Sequence, residues 1–165
     1  MNSTTQPTQA APGSVRRAIA KHSFCTLATS SATNQPHGVG VLYTAVDGLL
    51  YVSTLQDSKK ARNIRENPLV ALCIPVRRYP MAPPFLVQFG GRAEILPAQD
   101  PAMVVLMQAG RLKKITGHGA LDDPETCFLR ITPDRKVFTY GIGVPLRTLL
   151  RDPTHANATF DLGVA

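Results

Sequence analysis

Hydrophobic and polar residues alternate along several short stretches of this chain, which is the period expected of β-strands that bury one face. Turn signals between these stretches, such as Asp47-Gly48, place neighbouring strands in hairpins. Hairpin order without a βαβ rhythm predicts a mainly β fold, a six-stranded antiparallel barrel with short helices. The predicted strands are Phe24–Ser30, His37–Thr44, Leu49–Thr54, Leu69–Val76 and Phe85–Leu96, followed by a last hairpin around Pro133-Asp134.

Three helices are predicted from capping residues that precede apolar positions at helical spacing. Ser14 is the expected cap of a covering helix, and Ser58 is the expected cap of a short second helix. Asp100-Pro101 predicts the start of a third helix that runs to about Leu112. Gly90-Gly91, inside the fifth strand, predicts a bulge or corner where the sheet bends.

The length of 165 residues fits one domain, predicted over 13–165, which can bury a core without disulfide support. Residues 1–12 are rich in Ser, Thr, Gln, Ala and Pro without an apolar pattern, and we expect a disordered tail there. This start lacks the basic and apolar regions of a secretory signal, and no apolar run approaches the length of a bilayer span. The expected location is therefore the cytoplasm, with no membrane as a partner.

The three cysteines, Cys25, Cys73 and Cys127, have no paired spacing that would indicate a disulfide framework or a metal site. All three lie in apolar or strand-like segments, which favours reduced core residues. No His pair has the spacing of metal ligands either, so no metal site is predicted.

Eighteen Lys and Arg against eleven Asp and Glu give a net charge of +7, enough to attract polyanions. The cations are dispersed in pairs and the chain has no Trp, so nucleic acid is not a predicted partner. A small phosphorylated ligand explains one of these pairs, Lys59-Lys60, better. The sequence also lacks GxSxG and HExxH motifs, which disfavours a hydrolase.

The junction between the third strand and the second helix combines hydroxyl and ammonium groups. Ser53 and Thr54 end the strand, and Ser58, Lys59 and Lys60 begin the helix. Lysines in a first turn oppose the helix dipole, so an anion over the free amide groups would account for them. By spacing alone, a phosphate site and a solvated basic helix start explain the pattern equally well.

Gly38 and Gly40 share one face of the second strand, where glycine normally weakens a sheet. A flat ring could lie against this bare backbone, but close packing by a neighbouring element also explains the pattern and is favoured when the pattern is taken alone. His37, at the start of the strand, is more simply explained as a partly exposed residue than as a ligand contact.

Four segments in a fixed order carry a resemblance to a known family: Phe24–Thr29, Gln35–Val41, Ser53–Pro68 and Val70–Ile74. Together they resemble the pyridoxamine-5'-phosphate-oxidase-like flavin-binding split barrels. The resemblance implies a split barrel, FMN as the cofactor, a small-molecule substrate, and a homodimer with the cofactor at its interface. It also implies a set of cofactor-binding residues: Lys59, Lys60, Ser53, Thr54 and Ser58 around the phosphate, and His37, Gly38, Val39, Gly40 and Gln88 around the ring.

Departures from the family pattern shape the expected chemistry. The oxidases that give the family its name carry Arg and Lys where this chain has Val39 and Thr44, so a vitamin B6 phosphate is not the expected substrate. We expect an FMN-dependent oxidoreductase that transfers hydride to or from an unidentified small molecule. The alternatives are a reductase that uses the deazaflavin coenzyme F-420, and a non-catalytic flavin or haem binding protein. The segment 141–165 either covers the cofactor cleft or completes the fold.

Overall fold

The computed structural model describes residues 12–77, 85–117, 119–142, 151–152 and 156–163. The tail predicted at 1–12 lies outside these residues except for Pro12, which begins the first helix. The helices are α1 (Pro12–Lys21), α2 (Lys59–Glu66), α3 (Pro101–Gln108) and α4 (Lys113–Thr116). The strands are β1 (Phe24–Ser30), β2 (Pro36–Leu42), β3 (Thr44–Val46), β4 (Leu49–Leu55), β5 (Leu69–Val76), β6 (Phe85–Pro97), β7 (Thr126–Tyr140) and β8 (Asn157–Asp161).

All of these strands belong to one antiparallel sheet that curls into a split barrel. The strand order is β2-β1-β5-β6-β7-β4-β3, and β8 pairs with β7 beyond this path. The fold class predicted from hydrophobic alternation is therefore confirmed. The Asp47-Gly48 turn between β3 and β4 is confirmed as well, with both residues at positive φ, as a tight hairpin turn requires.

The predicted count of six strands is wrong, because the described part of the chain contains eight. The predicted second strand is divided at Tyr43, whose amide donates to the carbonyl of Ser23 and whose hydroxyl donates to the carbonyl of Ile19. These bonds tie Tyr43 to α1 and to the short segment between α1 and β1. The last strand, β8, had no expected counterpart in the segment after Tyr140.

The predicted last hairpin around Pro133-Asp134 is also wrong, since β7 passes through this dipeptide as one strand of 15 residues. Pro133 pairs with Gly91 next to the irregularity between Phe89 and Gly91, which confirms the predicted bulge. A proline has no amide hydrogen for a ladder bond, and a bulge is a place where a strand tolerates this loss. The proline therefore marks a break in register and not a turn.

Two of the three predicted helix caps are confirmed. Ser58 accepts from the amide of Ala61 at 3.3 Å, and Asp100 accepts from the amide of Ala102 at 2.9 Å. The predicted cap at Ser14 is wrong because α1 already begins at Pro12. The third helix ends earlier than predicted, and Gly110, at a φ of +68°, separates α3 from α4.

The core fills the concave side of the sheet. Its fully buried side chains come from most strands and from α1, and α2 adds Ala61 and Ile64. A smaller cluster lies under α3 and α4, where Met103, Leu112 and Ile115 pack against Phe128. None of the helices in the described ranges is long and apolar enough to cross a membrane.

The three cysteines are free thiols, as predicted. Burial raises the pKa of Cys25 to about 12, with a smaller contribution from Cys73. Burial also raises the pKa of Cys73 and of Cys127, so all three thiols stay protonated at neutral pH.

Candidate functional site

The amino end of α2 brings together two hydroxyl groups that are predicted to hold a phosphate. Thr54 comes from the end of β4 and Ser58 from the cap of α2, and their oxygens lie 3.0 Å apart. The turn between them is closed by a bond from the amide of Ser58 to the carbonyl of Leu55. Both hydroxyls therefore lie where the free amides of α2 begin.

Ser53 makes a different contact from the one its position predicts. Its hydroxyl donates to the carbonyl of Ile115 in α4, at 2.7 Å. In this arrangement the Ser53 proton ties β4 to α4 and is not directed toward Ser58. Its assignment as a phosphate contact remains a prediction.

The two lysines of the first turn of α2 have different surroundings. Lys59 is exposed, whereas Lys60 is partly buried. Burial lowers the pKa of Lys60, and the neighbouring thiol of Cys127 opposes this effect only in part. Lys60 forms no ion pair with the acidic residues that the structure describes. A partly desolvated ammonium group without a counter-charge favours the binding of an anion beside it.

Two arginines that the sequence analysis did not select add positive charge at the same end of α2. The guanidinium of Arg62 donates to the carbonyl of Asp57, and that of Arg65 donates to the carbonyl of Gln56 at 2.6 Å. Both side chains thus reach back along the helix to the turn that precedes it. Lys59, Arg62 and Arg65 are spaced three residues apart, and this spacing could have indicated from the sequence that they share one basic face of α2.

The two glycines of β2 lie on the outer, convex face of the sheet, opposite the core. The pairing register aligns residues from five strands across this face: Gly40, Thr26, Cys73, Gln88 and Phe138. The next row contains Gly38, Ala28, Ala71 and Gly90. Three residues predicted to contact the ring, Gly38, Gly40 and Gln88, therefore share one face made mostly of small side chains.

The space above the two glycines differs. A Cβ atom added at Gly38 would meet nothing within 4 Å, so its backbone is open. A Cβ atom added at Gly40 would lie 2.9 Å from the ring of Phe24, so this glycine allows the close packing of an aromatic side chain. Close packing therefore explains Gly40, whereas a ring contact at Gly38 remains a prediction.

A cavity of about 310 Å³ lies on this outer face between β1, β5, β6 and β7. Gln88 contributes to its wall, whereas Lys59 and Lys60 do not. Its lining also includes Thr26, Ala28, Ala71, Cys73, Gly90 and Phe138.

His37 and Val39 point to the opposite side of β2 from the glycines, as strand alternation requires. Val39 packs against the core, and the Nδ1 atom of His37 is buried with no hydrogen-bond partner among the described residues. Contacts of these two residues with a ring on the glycine face would have to come from their backbone. Their roles as cofactor contacts remain predictions.

The described ranges contain no group of three or more His, Cys, Asp or Glu residues that could hold a metal ion.

Comparison with solved structures gives matches to proteins of the same fold. HutZ, the haem storage protein from Vibrio cholerae, is 17% identical with a TM-score of 0.65, over 78% of this chain and 94% of that chain. An FAD-binding protein from Mesorhizobium loti is 22% identical with a TM-score of 0.62, over 78% of this chain and 90% of that chain. A structure described as an F420 reductase is 20% identical with a TM-score of 0.54, over 72% of this chain and 91% of that chain. At these identities the likeness shows a shared fold and no more.

No curated protein matches the sequence. The family model described as pyridoxamine 5'-phosphate oxidase matches residues 11–139, which is most of the chain. This match agrees with the antiparallel split barrel and with the strand order along the chain. The protein therefore belongs to the pyridoxamine 5'-phosphate oxidase family.

Proposed function

We propose that this protein is a flavin-dependent oxidoreductase that binds FMN. The observation that carries the proposal is the partly buried Lys60, which has no acidic partner in the described structure and begins α2 beside the hydroxyls of Thr54 and Ser58. Membership of the family supports a flavin as the ligand. When bound, the flavin would supply a hydride acceptor or donor.

The described residues suit the two parts of such a cofactor at two places, the start of α2 and the outer face of the sheet. For the phosphate, the ammonium groups of Lys59 and Lys60 and the hydroxyls of Thr54 and Ser58 provide charge and hydrogen bonds. For the ring, the outer face offers the open backbone of Gly38. A flat group can approach such a strand more closely than one that carries side chains.

Two side chains of the cavity on the outer face set its polarity. The amide of Gln88 has both donors and an acceptor, which suits the polar edge of a flavin. The thiol of Cys73 stays neutral because burial raises its pKa, so it adds no negative charge beside the ring. Both residues position the cofactor in this proposal, and no side chain is assigned a proton-transfer role.

The proposal includes a homodimer formed through the outer face of the sheet. Three large apolar side chains on this face are about half exposed: Phe24 at 48%, Leu42 at 50% and Phe138 at 54%. Several exposed large apolar groups on one face of a sheet are typical of interaction surfaces. A second copy packed there would remove them from water and would exclude water from a ring held against the sheet.

A reductase that uses the deazaflavin coenzyme F-420 is the second candidate. The guanidinium groups of Arg62 and Arg65 favour it, because they bring more positive charge to the amino end of α2 than one phosphate needs. The extra charge suits a ligand that carries carboxylates as well as a phosphate. FMN stays the first candidate because Thr54, Ser58, Lys59 and Lys60 are sufficient for one phosphate.

A spectrum of the purified protein, followed by titration with FMN, F-420 and haem, tests the proposal. We expect FMN to bind tightly, and the bound flavin to be bleached by a reductant and reoxidised repeatedly by an added acceptor. Tighter binding of F-420 would establish the second candidate. Binding of haem alone, or of a flavin that never turns over, would indicate a carrier protein and would overturn the proposal.

A further inference from the structure

Another cavity lies at the opposite end of β4 from the proposed phosphate site. Its volume is about 510 Å³, within the range of small-molecule sites. Its walls come from α1, the turn between β3 and β4, the middle of β7 and the chain after β8. None of the residues assigned to FMN lines it, so its role is separate from the proposed function.

The interior of this cavity is mainly apolar. Ile19 is almost fully buried, and Ala45 and Leu162 are partly buried against the same core cluster. Leu49 completes this apolar floor and packs against the smaller cluster under α3 and α4. A hydrocarbon or aromatic body placed here would replace water against these side chains.

Most charges around the cavity already have partners. Asp47 is held by Arg111 through two bonds of 2.9 Å, and Arg135 pairs with Asp161 at 3.3 Å. Asp134 also lines this cavity, but its carboxylate lies against Gly90, which belongs to the cavity on the outer face.

Arg16 of α1 is the exception. It forms no ion pair with any acidic residue in the described ranges, although it lines the cavity. One of its terminal nitrogens lies 3.9 Å from the position that a Cβ atom of Gly163 would occupy. The guanidinium is thus at the rim, next to the apolar floor. A planar cation in this position pairs well with a carboxylate or a sulfonate.

We propose that this cavity binds a small amphipathic anion, with its apolar body on the floor formed by Ile19, Ala45, Leu49 and Leu162 and its acidic group at Arg16. The matching ligand class is a medium-chain or aromatic carboxylate. Binding there needs neither FMN nor a second copy of the chain.

Two fluorescent probes that share an anilinonaphthalene body test this proposal. One, 8-anilino-1-naphthalenesulfonate, carries a negative charge, whereas N-phenyl-1-naphthylamine is neutral. We expect the sulfonate to bind more tightly than the neutral probe, and decanoate to displace both. Arg16→Gln should weaken the sulfonate by about two- to fivefold, as for an exposed ion pair, and leave the neutral probe unchanged.

The controls separate this cavity from other apolar surfaces. Arg17→Gln removes the neighbouring charge, which does not line the cavity, and should have no effect. Ala20→Trp should block both probes, because Ala20 is an exposed residue of the cavity wall. Ala28→Trp, which fills the cavity on the outer face, should leave probe binding intact. The proposal is overturned if neither probe binds, if Ala20→Trp leaves binding intact, or if Arg16→Gln and Arg17→Gln act equally.

Discussion

Among single residues, the proposed phosphate site depends on the different environments of Lys59 and Lys60. Both begin α2, but only Lys60 is partly desolvated, and burial lowers its pKa. An anion that binds beside Lys60 gains more than one beside Lys59, because fewer water molecules screen the interaction. Lys60 is therefore expected to be the main phosphate contact.

The pH dependence of FMN binding follows from Lys60. Its folded-state pKa lies below the ordinary value of 10.5, so the amine loses its proton earlier than an exposed lysine as the pH rises. Affinity for the FMN dianion should be greatest between about pH 7, above the phosphate pKa, and the pKa of Lys60, and should fall at higher pH. Dividing the affinity for FMN by the affinity for riboflavin at each pH removes the pH effects that come from the shared ring. Lys60→Arg, which stays charged, should remove this alkaline decline, and a decline that persists in it would contradict the assignment.

The sequence predicts local contacts in this site better than distant ones. Ser58 and Thr54 are four residues apart, and the cap rule together with the strand end was sufficient to place them together. The bond from Ser53 to Ile115 joins residues 62 positions apart, so no local pattern contains it. The hydrogen bond from Arg65 to the carbonyl of Gln56 depends on a side-chain conformation that the spacing of residues in the sequence does not determine.

Among the elements, the shift of register between β6 and β7 explains what hydrophobic alternation missed, since two steps along β6, from Phe89 to Gly91, face four steps along β7, from Val137 to Pro133. Gly90-Gly91 predicted an irregular position, but the sequence does not show that Pro133 of β7 lies opposite it. Pro133-Asp134 therefore had the composition of a turn while forming part of a continuous strand. The division of the second strand at Tyr43 was hidden for a similar reason, since its partner Ile19 belongs to α1.

Glycine substitutions should separate an open position from a packed one. Gly38→Ala should raise the free energy of unfolding by up to about 1 kcal/mol, because the added Cβ meets nothing and the unfolded chain loses freedom. Gly91→Ala should lower it by about 1 to 3 kcal/mol, since its Cβ would lie 2.6 Å from the carbonyl oxygen of Thr132. Urea unfolding measures both.

Position 38 also tests the proposal that β2 lies beneath the flavin ring. Gly38→Leu should keep the stability of the protein but weaken FMN, because its side chain would occupy the open space over β2. An FMN affinity equal to that of the wild type would show that the ring lies elsewhere.

In the whole molecule, one face of the sheet lies on the main core, and the other face is covered by α3 and α4 at one end and left open by the described chain around Gln88. Phe24, Leu42 and Phe138 stay about half exposed on the open face, where the cavity beside Gln88 also lies. A second copy would cover both features together. The resemblance of the sequence to the family implied a dimer. The alternation of hydrophobic and polar residues shows only that one face of each strand is less apolar.

Phe138→Asp should convert a dimer into monomers, because a carboxylate in the middle of the interface would be buried without a partner. Val105→Asp is the matched control, since Val105 is 63% exposed on α3, which packs against Phe128 at the other end of β7 from Phe138. Sedimentation velocity should show a dimer for the wild type and for Val105→Asp, and a monomer for Phe138→Asp. A wild type that sediments as a monomer at micromolar concentration would exclude the proposed interface.

The affinities for FMN and for riboflavin, which lacks only the phosphate, test whether the start of α2 binds a phosphate. The wild type should bind FMN more tightly than riboflavin. Lys60→Ala should lose roughly 1.5 to 3 kcal/mol of binding free energy for FMN, the worth of a charged hydrogen bond, and nothing for riboflavin. Lys21→Ala, which removes an exposed charge from α1, should change neither affinity. Equal affinities for the two flavins in the wild type, or an equal loss for both in Lys60→Ala, would contradict a phosphate site at the start of α2.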